Sequence, residues 1–107
     1  MPVKTVISAV AFQEGDAWVV QGVEYDICAH AWDPAELPAA FARALMDNIV
    51  ITESLGRSPL EGIKAAPEKF RTMFERARAQ VTAVGDAVTD QRLPIGSIDI
   101  RLAGPVA

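Results

Sequence analysis

The chain has 107 residues, half of them hydrophobic, with a formal charge of −4 and one cysteine. That length suits one domain with one core, and the composition excludes a disordered or fibrous chain. The acidic balance argues against free nucleic acid as the main ligand, a single thiol excludes an intrachain disulfide, and neither a signal peptide nor a membrane span fits, so a cytoplasmic setting is expected.

Thr5 to Phe12 is rich in β-branched and small apolar residues. Thr5, Ile7, Ala9 and Ala11 share one face, and Val6, Ser8, Val10 and Phe12 the other. Both faces are largely apolar, which predicts a central strand. Gln13-Glu14-Gly15-Asp16 is turn chemistry, and Ala17 to Gln21 is the return strand of a hairpin, ended by Gly22. Tyr25 to Trp32 alternates again. Tyr25, Ile27, Ala29 and Ala31 form its apolar face, with Asp26, Cys28 and His30 opposite.

Asp33 suits a helix N-cap, Pro34 the first helical position, and Glu36 completes a capping box. Pro38 removes an amide there, which tightens the first turn or moves the regular helix later. Leu37, Phe41, Leu45 and Ile49 then keep helical spacing, Ala44 and Val50 widen the stripe, and Gly56 stops it. Ser58-Pro59-Leu60-Glu61 repeats the capping-box pattern and predicts a turn or two before Gly62. Pro67 opens a stronger helix whose stripe is Phe70, Met73, Phe74, Ala77 and Val81. Gly85 to Arg92 is polar and predicts a loop. Ile95 to Leu102 is a late strand, with Ile98, Ile100 and Leu102 inward and Ser97, Asp99 and Arg101 outward.

The expected fold is α+β: an antiparallel three-stranded sheet packed by a long helix, plus a second amphipathic helix and a C-terminal strand. That strand pairs with the first sheet or with another copy of the chain. Residues 4–55 make a β-β-β-α unit and residues 56–107 its extension, within a single domain over residues 1–107. Many core positions are alanines, which bury little area each, so association of copies would thicken the core.

Chemistry is sparsely signalled. Asp26, Cys28 and His30 share a strand face and are metal-ligand types, but a closed site needs three or four convergent ligands. The chain has no other cysteine or histidine, so the polar face of a half-buried strand is the commoner outcome. Cys28 and His30 as nucleophile and base lack an identifiable oxyanion site. Glu14, Asp16, Glu24 and Asp26 gather near the hairpin turn and the next connection. They serve ordinary turns and solubility, hold a cation or a proton, or form an acidic edge that steers a basic partner. Trp18 and Trp32 mark an interface if they project away from the long helix and belong to the core if they face it. Lys64, Lys69, Arg71, Arg76 and Arg78 alternate with Glu61, Glu68 and Glu75, the pattern of a solvated helix face. Gly15, Gly22 and Gly56 are isolated and form no phosphate-binding loop.

The hairpin Thr5 to Gln21, the strand Ile27-Cys28-Ala29-His30-Ala31 and the helix from Asp33 to about Ile51 together resemble the HicB-like antitoxin family. The N-terminal domain of that family is a partial RNase-H-like β-β-β-α unit. Gly15, Trp18, Val19, Val20, Cys28, His30, Ala31, Glu36, Ala40, Phe41 and Ala44 carry the resemblance, which spans somewhat under half of the chain. Asp26-Ile27 stands where the family usually has Pro-Gly, and Ala31-Trp32 where a Gly often precedes the helix. The second half looks like neither a ribbon-helix-helix nor a helix-turn-helix module, so DNA autoregulation does not carry over.

The resemblance implies a fold without catalytic residues, a sheet that engages a small basic RNA-cleaving toxin, and a homodimer or higher homo-oligomer. The expected function is therefore a non-enzymatic protein-interaction module without cofactor or metal, and with neither nucleic acid nor membrane as a direct partner. Its expected interface elements are Trp18, Trp32, Ile98 and Ile100, with Glu14, Asp16 and Glu24 as steering charges. The alternative is a small enzyme or ligand-binding protein with a pocket between the sheet and the second helix, using Asp26, Cys28 and His30.

Overall fold

The computed structural model describes residues 5–77, 79–81 and 95–103. The segment Gly85 to Arg92, expected as a loop, lies outside them. The strands are β1 (Thr5–Glu14), β2 (Ala17–Gly22), β3 (Cys28–Ala31), β4 (Ala79–Val81) and β5 (Ile95–Leu102); the helices are α1 (Leu37–Ser54) and α2 (Glu68–Arg76). The described strands form one mixed sheet in the order β3-β2-β1-β5-β4.

The chain is thus α+β, as the hydrophobic periodicities predict, but its sheet is neither three-stranded nor wholly antiparallel. β1, β2 and β3 make an antiparallel meander. On the other side of β1 lies β5, parallel to it, with Ile7 opposite Ile98 and Ala9 opposite Ile100. The late strand therefore pairs within its own chain. Side-chain alternation records which face a strand buries, not the direction in which it runs. A parallel partner needs a long crossover, and the elements between β1 and β5 supply it. β1, apolar on both faces, takes the central place.

α1 covers one face of the sheet. Ile7, Ala9 and Ala11 of β1, Val20 of β2 and Ile100 of β5 meet Leu37, Phe41, Leu45 and Ile49 of the helix, with Ile27 and Leu60 at the margins. The small β1 side chains leave room for the large helix residues, so facing positions interdigitate. Val50 is not part of this stripe: it is 57% exposed, and the next inward position falls on Thr52.

The strand expected from Tyr25 starts only at Cys28. Gly22 N–H donates to the Ile27 carbonyl at 2.8 Å, folding the intervening residues into a tight connection. A Cβ on Gly22 would stand 2.6 Å from the Tyr25 carbonyl oxygen, so the turn closes only around glycine. Asp26 N–H reaches the Lys64 carbonyl at 2.7 Å and Ala66 N–H the Val23 carbonyl at 3.0 Å, which ties this connection to the segment before α2.

Asp33 caps as expected, its Oδ1 accepting the Ala35 N–H at 2.9 Å, but the first turn is a short 3-10 segment, Pro34–Glu36. The regular helix follows from Leu37 with Pro38 in its first turn, and Glu36 makes no side-chain capping bond. Gly56, at φ 76°, ends α1. Its N–H donates to the Glu53 carbonyl and the Arg57 N–H to the Thr52 carbonyl, both at 3.0 Å, the paired closure of a Schellman motif. The Ser58–Glu61 box forms a single turn, with the Glu61 carboxylate accepting the Ser58 N–H at 3.1 Å.

α2 ends at Arg76, where Ala77 turns extended at φ −72° and ψ 134°. Val81, expected on the helix stripe, lies instead in β4, which pairs antiparallel with β5. Here sheet pairing overrides the helical periodicity of the sequence.

Candidate functional site

Residues directly opposite each other on antiparallel strands share a face. Cys28 faces Gln21, and His30 faces Val19. Gln21 in turn faces Val10, and Val19 faces Phe12. All of these lie on the side of the sheet away from α1. α2 covers the part of that side over β1 and β5. The Phe70 ring stacks on Phe12 with centroids 6.0 Å apart and planes 18° from parallel. The Arg101 guanidinium lies 4.1 Å from the Phe74 ring centroid. Its Nη1 donates to the Phe74 carbonyl at 3.4 Å, and its Nη2 sits 3.4 Å from Asp99 Oδ2. Two rings from the helix, one ring from β1 and a guanidinium from β5 thus meet where the alternative reading places a pocket.

Asp26, Cys28 and His30 are exposed. Asp26 sits in the turn ahead of β3, and its Oδ1 accepts the Gln21 Nε2–H at 2.9 Å. Cys28 and His30 follow on the edge strand. Gln21 is buried, and its amide also donates to the Gly22 carbonyl at 3.1 Å, so it braces the turn. Among the described residues no group of three or more His, Cys, Asp or Glu side chains converges to hold a metal ion, and no helix is long and apolar enough to cross a membrane.

The expected interface residues divide. Trp18 shares its face with Gln13 and Ala31, its cross-strand neighbours, and packs half-buried against the α1-side core. Ile100 is 1% exposed and Ile98 packs against the same cluster, so the inward side of β5 belongs to the core rather than to a surface. Trp32 is different: at 78% exposure its indole stands in solvent. Glu14 and Asp16 are exposed on the hairpin turn. Glu24 is half-buried, and its carboxylate accepts the Ser8 N–H at 2.7 Å.

Pairing of Trp18 with Ala31 fixes where Trp32 lies. Two residues before Trp18 the chain turns at Asp16, and one residue after Ala31 comes Trp32. The exposed indole and the acidic hairpin turn therefore occupy the same end of the sheet. Asp33 and Glu36, also exposed, follow directly. Sequence spacing separates these two acidic pairs widely. Only the hairpin register brings them to one end, and the sole earlier signal is that a three-strand meander returns its third strand to the first turn.

Compared with protein-family models, curated proteins and solved structures, the chain matches none.

Proposed function

We propose that this chain is a non-enzymatic protein-interaction module, resembling a HicB-like antitoxin, that self-associates and binds a small basic protein at the hairpin end of its sheet. The observation that carries this reading is Trp32: a tryptophan 78% exposed, one residue past the end of β3, an edge among the described strands, and at the same end of the sheet as the Glu14 and Asp16 turn. An exposed indole is a large apolar area held in water, and tryptophan is enriched among the residues that dominate binding energy. Carboxylates around it speed encounter with a cationic partner and disfavour acidic ones.

The meander β1-β2-β3 leading through a capped turn into α1 supports the family likeness. Among the described strands β3 is also an edge of the sheet, which suits a surface that meets a partner. In such a role the protein acts by occupying its partner's surface, in a cytoplasmic setting, without a cofactor. The pocket alternative has less support, because Phe12, Phe70, Phe74 and Arg101 occupy the junction between sheet and α2.

The test is affinity capture from native lysate with the wild-type chain and with Trp32→Ala, identification by mass spectrometry, and light scattering on each purified protein. The expected result is a small basic protein held in stoichiometric amount by a dimeric or tetrameric wild type, and weakened capture or association with Trp32→Ala at unchanged melting temperature. A monomeric wild type that retains no partner overturns the proposal.

A further inference from the structure

We draw no further inference here: the strongest candidate, the apolar ridge of Val50, Ile51 and Leu55 exposed on the outer face of α1, carries nothing because nothing in the structure shows what covers it.

Discussion

The Glu24 carboxylate accepts the Ser8 backbone N–H at 2.7 Å, across sixteen positions of chain. The pairing of β1 with β2 ends at Ala9 and Gly22. One step further the Val23 N–H reaches the Ser8 carbonyl at 2.9 Å, and the Glu24 side chain then serves the Ser8 amide in place of a backbone oxygen. Glu24 therefore has a structural role in the fold, apart from any charge it presents to solvent. Glu24→Ala leaves a partly buried donor unsatisfied and is expected to cost about 1–3 kcal/mol in urea unfolding, while Glu24→Gln keeps an acceptor and most of the stability. A loss for Ala within about 0.5 kcal/mol, the range of ordinary surface substitutions, would show that the bond contributes little.

Thr52 joins the end of α1 to the turn that follows. Its hydroxyl lies 3.0 Å from both the Asn48 and Ile49 carbonyl oxygens and accepts the Leu60 N–H at 3.0 Å. Leu60 sits at φ 65° and is only 3% exposed, so its left-handed backbone is held by burial together with this bond. Thr52→Val keeps the shape and removes the acceptor. A loss of about 1–3 kcal/mol is expected, with faster amide exchange at Leu60. Thr52→Ser, which retains the hydroxyl, should lose less. A loss for Thr52→Val within about 0.5 kcal/mol, with Thr52→Ser losing more, would assign the contribution of Thr52 to its methyl group instead.

Two glycines should respond to alanine for different reasons. At Gly22 a Cβ would meet the Tyr25 carbonyl oxygen at 2.6 Å and the Ile27 oxygen and Phe41 ring at 3.2 Å each. Two of these neighbours are backbone, so relief requires the turn itself to move, and Gly22→Ala is expected to cost about 3 kcal/mol, the upper end for overpacking. At Gly15 the space is open but φ is +63°, so Gly15→Ala carries only the left-handed penalty of about 1–2 kcal/mol. Gly15→Asn should recover part of that, and no substitution by a larger residue should rescue Gly22. Thermal melts of the three variants settle the order.

The stack of Phe12 on Phe70 holds α2 to the sheet. A double-mutant cycle with Phe12→Leu and Phe70→Leu is expected to return a coupling of about 0.5–1.5 kcal/mol. Because α2 has no fully buried residue, Phe70→Leu should also speed proteolysis within α2 more than within α1. Additive losses would mean that the rings contribute by burial alone.

Much of this arrangement is legible in the residues. The two apolar faces of Thr5 to Phe12 place β1 at the centre, and Asp33, Pro34 and Pro38 foretell a helix that starts late. Gly15 and Gly56 mark a turn and a helix end that both need positive φ. The alternation of Cys28 and His30 with Ala29 and Ala31 matches their exposed and half-buried positions. What escapes the sequence depends on distant partners. Tyr25 alternates properly but is pulled into a turn by the bond from Gly22 to Ile27, and Val81 keeps helical spacing yet pairs with Ile100 on β5. Trp18 and Trp32 look alike as sequence features. They differ because one faces the α1-side core and the other comes one residue after the edge strand ends. Glu24 and Thr52 bond backbone groups that no local pattern links to them.

Sheet order also governs how the chain must assemble. β1 precedes its parallel neighbour β5 in the chain, with every other described element between them, and all of these are made before β5 can dock. Until β5 arrives, one side of the central strand offers unpaired backbone groups flanked by apolar side chains, the kind of edge that recruits other chains. The meander and α1 form from local contacts, but the β1–β5 ladder joins distant parts of the chain, and such contacts form slowly. The interval between translation of β1 and docking of β5 is therefore when this protein is most prone to aggregation.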